Sequence, residues 1–351
     1  MQYAQLGRSG VFVSRFCLGA MTFGGGDNAV SNALGRLSPA EADAIVSPAL
    51  EAGINFIDTA DVYGRGASET VLGEILGPRR SGIVLATKLH ARMGPGANAV
   101  GQSRLHVMEA LEGSLRRLRT DHIDLYQLHN FDPFTPMETV LRSLDDAVRQ
   151  GKVRYIGCSN YAAWQLTKAL GISERERLEK FVSIQSFYSL ACRDLEAEII
   201  PAASDQGVGV LCWSPLAGGL LSGKFGRDGA AESTARRVTI DFPPVNEEKA
   251  FDIVEVLREI AAARGAEPAQ VALAWLLGRP AVTSVILGVK RPEQLASNLA
   301  AMSLSLSPEE VARLDAVSGQ AATYPGWIQS YSAKSRVPEG YPHEGPNWSA
   351  A

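Results

Sequence analysis

Four residues with useful side-chain chemistry follow apolar runs of the sequence. In the stretch NFIDTADVYGRGASE, a short apolar run ends at Asp58, and Tyr63 follows five residues later. Lys88 ends the run IVLATK, and His129 ends the run IDLYQLH. A lysine ammonium beside a tyrosine favours the phenolate and lowers the tyrosine pKa from about 10 toward neutrality. Tyr63 is therefore a candidate proton donor, provided that the fold brings Lys88 beside it.

Each of these residues also has an ordinary structural explanation. A lone lysine at the end of a strand can extend its ammonium to solvent, and a lone histidine is more often structural than catalytic. If Asp58 lies next to Lys88, the cost of burying both charges falls because the two groups can bond to each other. The functional interpretation depends on the elements that hold these residues.

An apolar run, a loop and an amphipathic helix recur along the chain. Eight such runs lie at 16–18, 56–57, 83–85, 123–126, 154–156, 182–184, 208–211 and 284–287. Apolar residues at three- and four-residue spacing predict helices at 39–52, 68–76, 103–118, 137–150, 162–170, 195–204 and 247–264. Strands that alternate with helices indicate parallel β-α-β units, and eight units closing on themselves give an α/β fold, the (β/α)8 TIM barrel.

The whole chain, 1–351, is predicted to form a single domain, in which the remaining segments are additions to the barrel. The opening segment YAQLGRSGVFVS reads as a β-hairpin that caps the bottom of a core at about 14–317. Residues 216–246 form an extended loop, and 318–351 form a C-terminal tail over the mouth, without helical periodicity. An open doubly wound sheet is the alternative, but GAMTFGGGDN after the first run does not spell G-x-G-x-x-G.

Composition excludes several classes of partner. Apolar residues make up 46% and charged residues 21% of the 351 positions, the balance of a globular protein with a large core. A net charge of −4 gives no reason to expect nucleic acid or an anionic membrane as partner. We expect a cytoplasmic protein with reduced cysteines and no metal, because no secretory signal, C-x-x-C pair or metal-ligand histidine spacing is present.

The four residues and several further motifs resemble the aldo-keto reductases. Asp58 and Tyr63 in DTADVY, Lys88 in ATK and His129 in LH match the catalytic set of that family. The similarity continues through GCSN (157–160), SIQSFYSL (183–190), WSPLAGGLLSGK (213–224) and GVKRPEQLASN (288–298). It implies an NADPH-dependent reductase of aldehydes or ketones, with Tyr63 as proton donor, Lys88 lowering its pKa, Asp58 paired with Lys88 and His129 orienting the carbonyl.

The resemblance also implies a set of residues that bind the cofactor. Ser159, Asn160 and Gln185 match positions that hold the nicotinamide carboxamide, and Trp213 matches the aromatic residue on which that ring stacks. The residues matching the pyrophosphate loop are Ser214, Pro215, Leu216, Gly218, Gly219 and Lys224. Those matching the end of the eighth strand and the next helix are Gly288, Lys290, Arg291, Gln294 and Asn298. Two adjacent cations, Lys290 and Arg291, suit a 2′-phosphate and favour NADP over NAD.

The substrate and two alternative functions remain open at this stage. Phe23, His90 and Trp327 are candidates for the lining of the pocket, and the oligomeric state is not predicted. The match of GGLLSGKF to a phosphate-binding loop fails at Phe225, where magnesium needs a hydroxyl. The second hypothesis is a non-catalytic nicotinamide-binding subunit, such as one that accompanies a membrane channel. A barrel hydrolase is the third, but it lacks paired carboxylates or a metal cluster at the strand ends.

Overall fold

The computed structural model contains a closed barrel of eight parallel strands. It describes residues 1–26, 35–227, 229–230, 237, 240–336 and 338. A hairpin of β1 (Tyr3–Gln5) and β2 (Phe12–Ser14) precedes the barrel. The next strands are β3 (Phe16–Gly19), β4 (Phe56–Asp58), β5 (Val84–Leu89), β6 (Ile123–Leu128), β7 (Val153–Ser159), β8 (Phe181–Phe187) and β9 (Gly209–Trp213). A two-stranded ribbon of β10 (Phe225–Gly226) and β11 (Gly229–Ala230) follows, then the last barrel strand, β12 (Val282–Gly288).

Strand β12 closes the barrel by pairing in parallel with both β3 and β9. Val285 lies opposite Phe16 on one side and Cys212 on the other. The predicted strand order is therefore confirmed, and the C-terminal ends of all eight strands lie at one rim, the mouth of the barrel. Catalytic groups of such barrels lie at this rim.

Helices surround the barrel between successive strands. They are α1 (Pro39–Glu51), α2 (Ala67–Leu76), α3 (Arg104–Leu118), α4 (Met137–Arg149), α5 (Ala163–Glu176), α6 (Ile199–Gln206), α7 (Glu247–Arg264), α8 (Pro268–Leu277), α9 (Pro292–Ala300), α10 (Pro308–Ser318) and α11 (Gly326–Arg336). The periodic residues Leu111, Leu115 and Leu118 of α3 are all buried, as their spacing predicts. Ser38 begins α1 with a capping box that includes Glu41.

The buried apolar residues form two clusters, one inside the barrel and one between the barrel and the helices. The inner cluster includes Cys17, Phe56 and Leu211 on the strands, together with Leu6 and Val13 of the hairpin. The larger cluster lies between strands and helices. A methyl group on Gly7 would come 2.3 Å from the carbonyl oxygen of Val182, near the start of β8. The hairpin therefore closes the bottom of the barrel, as predicted.

The structure departs from the predicted elements mainly in its C-terminal part. Helix α6 begins at Ile199 rather than at 195, and α5 continues to Glu176 rather than ending at 170. The tail contains α11, where no helix was predicted; most of its residues are exposed, so no buried apolar face marks it in the sequence. Parts of the extended loop (228, 231–236 and 238–239) and of the tail (337 and 339–351) lie outside the described residues. In the described part, no helix is both long and apolar enough to cross a bilayer.

Candidate active site

The structure brings the four predicted catalytic residues together at the mouth. Asp58 ends β4, Lys88 lies near the end of β5, His129 follows β6, and Tyr63 lies on the loop after β4. The Lys88 Nζ atom is 2.5 Å from Asp58 Oδ1 and 3.3 Å from the Tyr63 hydroxyl. The rings of Tyr63 and His129 meet edge to face, with 5.8 Å between their centroids. The lysine therefore links the carboxylate to the phenol.

Asp58 is the fixed point of this cluster. Its side chain is nearly fully buried, and its second oxygen accepts hydrogen bonds from Gln127 Nε2 at 3.0 Å and Gln185 Nε2 at 2.9 Å. A buried carboxylate with donors on both oxygens keeps one orientation. The sequence interpretation missed Gln127, although an uncharged polar residue inside the run IDLYQLH was a signal that it faces the barrel interior.

Lys88 stays protonated despite complete burial. Burial alone would lower the pKa of Lys88, but the charges of Asp58 and Tyr63 and its hydrogen bonds to both residues outweigh that effect and raise it. The interaction is reciprocal, so a protonated Lys88 favours the ionised form of Tyr63. The ammonium also donates to the carbonyl oxygen of Thr59 at 2.8 Å, which gives it three partners, the number that it can serve.

His129 is a neutral imidazole at ordinary pH. Burial, reinforced by the positive charge of Lys88 and by His90, lowers the pKa of His129 to about 3. Its Nδ1 atom is buried and has no hydrogen-bond partner within the described residues. A neutral imidazole at the mouth can donate or accept one hydrogen bond to a ligand, depending on its tautomer.

A short loop presents Tyr63 and is tied down at both ends. The hydroxyl groups of Thr59 and Ser68, at the two ends of the loop, are hydrogen-bonded at 2.8 Å, and Ser68 Oγ donates to the carbonyl of Ala20. The amide of Asp61 donates to the carbonyl of Lys88 at 3.1 Å. We call residues 59–68 the Tyr63 loop. Because its anchors include both the backbone and the ammonium of Lys88, the loop fixes the phenol relative to the lysine.

The predicted carboxamide residues lie beside the catalytic cluster. Ser159 Oγ donates to the carbonyl of Gln185 at 2.9 Å, and Asn160 has a left-handed backbone with φ of 57°. Asn160 Nδ2 donates to the carbonyl of His129, and its Oδ1 accepts from Trp213 Nε1 at 3.1 Å. The Gln185 amide nitrogen donates to Asp58, so in this structure Gln185 orients the Asp58 carboxylate.

Trp213 and the segment after it form an aromatic and glycine-rich part of the mouth. The Trp213 ring stacks on Phe187 at 4.9 Å and lies nearly parallel to Phe242 at 5.8 Å. Left-handed backbone follows at Ser214, Gly218 and Gly219. A methyl group on Gly219 would meet no atom of the described residues within 4 Å, which leaves room for a ligand beside its backbone in that part of the structure. Pro215 and Leu216 lie in the same turn, and Lys224 beyond it is exposed.

The end of β12 leads into the N-terminus of α9. A methyl group on Gly288 would meet no atom within 4 Å, and Arg291 is the exposed residue that precedes the first turn of the helix. The Lys290 amide donates to Gln294 Oε1 at 2.8 Å, and Asn298 is buried on the helix. Cationic side chains beside a helix N-terminus form a suitable site for a phosphate group.

The three candidates for the pocket lining differ in their surroundings. His90 is half-buried at the mouth, with its ring 3.4 Å from Gln102 Nε2, and burial lowers its pKa. Phe23 is completely buried in the outer core and exposes no surface to a ligand in this conformation. Trp327 is exposed on α11, with its ring near that of Tyr324. Among the described residues, no group of three metal-ligand side chains is present.

Comparison with known proteins agrees with this geometry. The family model described as "Aldo/keto reductase family" matches residues 15–318, which include all the strands of the barrel. The chain belongs to the aldo/keto reductase family. Both the fold and the four-residue cluster were predicted from the sequence, and the family assignment is confirmed.

Relatives within this family have different described roles. An uncharacterized oxidoreductase, YrpG, of Bacillus subtilis (strain 168) is 41% identical over 88% of this chain and 93% of its own length. A versiconal hemiacetal acetate reductase of Aspergillus parasiticus is 34% identical over 93% and 99%. A probable voltage-gated potassium channel subunit beta of Oryza sativa subsp. japonica is 36% identical over 90% and 96%. Similarity alone therefore does not choose between enzyme and channel subunit.

Proposed function

We propose that this protein is an NADP(H)-dependent aldo-keto reductase that reduces an aldehyde or ketone to an alcohol, with Tyr63 as the proton donor. The observation that carries the proposal is the chain of contacts from Asp58 through Lys88 to the Tyr63 hydroxyl. A phenol beside a buried ammonium gives up its proton more readily than a free phenol. A merely structural lysine would not need contact with a tyrosine at the mouth.

The four residues have distinct roles in this proposal. Tyr63 passes its proton to the carbonyl oxygen, and Lys88 stabilises the phenolate that remains. Asp58, held by Gln127 and Gln185, keeps the ammonium in place. His129, neutral because its pKa is about 3, offers a hydrogen bond to the same carbonyl oxygen.

The residues around Trp213 and Arg291 suit the dinucleotide. When bound, NADPH supplies the hydride that reaches the carbonyl carbon. Asn160 and Ser159 would hold the carboxamide of the nicotinamide, Trp213 would support its ring, and the open backbone of Gly219 allows close approach of a pyrophosphate. Lys290 and Arg291 would contact the 2′-phosphate, which is why we infer NADP(H) rather than NAD(H). We also propose a cytoplasmic location, as expected from the sequence.

A non-catalytic NADP(H)-binding subunit is the second candidate, because of the similarity to potassium channel subunits beta. Such a subunit needs the dinucleotide residues but not the proton donor. The contacts that Lys88 makes with Tyr63 and Asp58 favour the enzyme over this alternative.

The test is the Tyr63→Phe variant with Tyr3→Phe as its control. Tyr3 is on the exposed hairpin, where its hydroxyl donates to the Gly53 carbonyl. We expect Tyr63→Phe to lose at least about a hundredfold in carbonyl-dependent NADPH consumption, while its NADPH binding, followed by tryptophan fluorescence, stays close to wild type. Tyr3→Phe should keep both. Equal turnover by Tyr63→Phe and wild type would contradict the proposal.

A further inference from the structure

Asp61 is a buried acid beneath the catalytic tyrosine that the proposed reaction does not use. Its side chain has no exposed surface, and it lies on the Tyr63 loop two residues before the phenol. Neither carboxyl oxygen has a hydrogen-bond partner among the described residues. The neighbouring Val62 amide favours the charged form slightly, without reaching hydrogen-bonding geometry.

Glu69, on the first turn of α2, is equally buried but is fully satisfied. Its Oε1 atom accepts from Thr87 Oγ1 at 2.6 Å, and its Oε2 atom accepts from Arg117 Nε at 2.7 Å. An ionised carboxylate without donors is far more costly to bury than one with donors on both oxygens. Of the two acids, Asp61 is therefore the more costly to ionise.

The charged and titratable groups that face Asp61 come from four elements. They are Glu69 on α2, Arg117 on α3, Lys88 on β5 and the buried Tyr126 on β6. Burial and then the negative charge of Glu69 raise the pKa of Asp61 to about 7, against weaker opposing effects of Arg117 and Lys88. Arg117 is already committed to Glu69, and a methyl group on Gly66 would come 2.6 Å from its side chain. The guanidinium therefore has little room to turn toward a second carboxylate.

We propose that Asp61 is a positioning residue that works as a neutral carboxylic acid under the Tyr63 loop, and that loss of its proton misaligns Tyr63 and ends carbonyl reduction in alkaline solution. The proposal rests on the proposed reductase function. When Asp61 gives its proton to solvent, a buried pair of like charges forms, and the new carboxylate must find donors. Asp61 shares a tight turn with Tyr63, whose amide donates to the Ala60 carbonyl oxygen at 3.2 Å.

The loop is suited to transmit this change because Asp61 and Tyr63 belong to one short segment that is held at both ends. Thr59 and Ser68 are hydrogen-bonded to each other at the two ends, and Lys88 binds the backbone on either side of Ala60. A shift at Asp61 therefore moves the phenol relative to the ammonium, 3.3 Å from it. Alignment at this contact is what proton donation requires.

The first experiment compares the pH dependence of kcat/KM for carbonyl reduction in four proteins. They are the wild type, Asp61→Asn, Glu69→Gln and the exposed-site control Asp205→Asn. In the wild type we expect the rate to fall on the alkaline side with a midpoint near pH 7. Asp61→Asn, a permanent mimic of the neutral acid, should move the midpoint up by at least about one unit. Glu69→Gln removes the repelling anion and should move it down.

The Asp205→Asn control should keep the wild-type midpoint. An Asp61→Asn profile that matches the wild type would overturn the proposal, because Tyr63 itself would then account for the alkaline limb. A purely structural role for Asp61 predicts equal rate losses at every pH, with no shift of the midpoint.

A second measurement does not depend on turnover. The infrared difference spectrum of wild type minus Asp61→Asn should contain the carbonyl stretch of a protonated carboxyl group at pH 5.5, and this band should disappear with a midpoint near pH 7. If Asp61→Asn does not fold, the same band is sought in the wild type as a function of pH. Absence of the band overturns the proposal. If the band is present but no carbonyl is reduced, the reductase function fails while the protonation of Asp61 stands.

Discussion

At the scale of single residues, the site is organised around the charge of Asp58 and not around the tyrosine that it serves. One carboxyl oxygen binds Lys88, and the other binds Gln127 and Gln185. The ammonium then stands between Asp58 and Tyr63 with a third bond to Thr59. Lys88 thus has one position, which is the preorganisation that the proposed proton transfer needs.

Gln127→Leu tests this support directly. Removing a hydrogen bond to a charged group costs about 1.5–3 kcal/mol, so we expect kcat to fall by roughly tenfold or more, with little change in NADPH binding. Ser183→Ala is the matched control, because its hydroxyl is buried in the same barrel but has no hydrogen-bond partner within the described residues. The measurement is kcat from steady-state kinetics of both variants. Equal kcat in the two variants would show that Gln127 does not support Asp58.

The sequence identified the titratable residues of the site but not the residues that hold them. Asp58, Tyr63, Lys88 and His129 could be found because each follows an apolar run. The partnership of Glu69 and Arg117 could not, since 48 positions separate them along the chain and only the packed α2 and α3 bring them together. The burial of Asp61 could not be predicted either, because the packing of α2 and α3 brings Glu69 and Arg117 to it from distant parts of the chain.

At the scale of elements, the Tyr63 loop connects β4 to α2 and places the Tyr63 hydroxyl beside Lys88. Strand β4 ends at Asp58, and α2 starts at Ala67. The few residues between them must place the phenol beside the lysine and then turn the chain back into the helix. Three consecutive left-handed residues, Gly64, Arg65 and Gly66, make that return possible. The Arg117 side chain then fills the space that Gly66 leaves open.

Gly66→Ala is expected to damage both stability and catalysis. Its methyl group would come 2.6 Å from Arg117 Cδ at a backbone φ of 94°. Strain and overpacking together predict a loss of about 3 kcal/mol in unfolding free energy. Gly265→Ala is the control, because its backbone is also left-handed (φ 61°, ψ 34°) but no atom of the described residues lies within 4 Å of the new methyl group. Urea denaturation compares the two, and equal losses would mean that the contact with Arg117 does not matter.

Element prediction succeeded in the barrel and failed in the tail. The eight strands and most helices were predicted in order, because buried parallel strands are short apolar runs and their helices carry apolar stripes. Helix α11 was missed, since its exposed Tyr331 and Trp327 do not mark a buried face. The boundary at Ile199 was missed because the short 3-10 turn Asp194–Glu196 continues the same pattern.

At the scale of the whole molecule, the buried acid of the Tyr63 loop should make folding stability depend on pH. The pKa of Asp61 rises from its ordinary value of about 3.9 to about 7 on folding. The folded protein therefore holds a proton that the unfolded chain has lost, and stability falls as pH rises through that interval. The contribution is complete below about pH 4 and lost above about pH 7, up to about 4 kcal/mol.

Asp61→Asn should flatten this dependence. We expect the stability difference between variant and wild type to favour the variant increasingly from pH 5 to pH 8, as measured by urea denaturation at each pH. The exposed-site variant Asp205→Asn should run parallel to the wild type throughout. A constant difference between Asp61→Asn and wild type across this range would show that Asp61 titrates at its ordinary pKa.

The central claim is that this barrel moves a hydride to a carbonyl with Tyr63 as proton donor. The most direct measurement uses NADPH deuterated at the transferring position and a panel of aldehydes and ketones, with the alcohol products analysed by mass spectrometry. We predict one deuterium in each alcohol made by the wild type and no alcohol above background with Tyr63→Phe. Tight NADPH binding without any labelled alcohol would contradict the claim and favour a non-catalytic nucleotide-binding subunit.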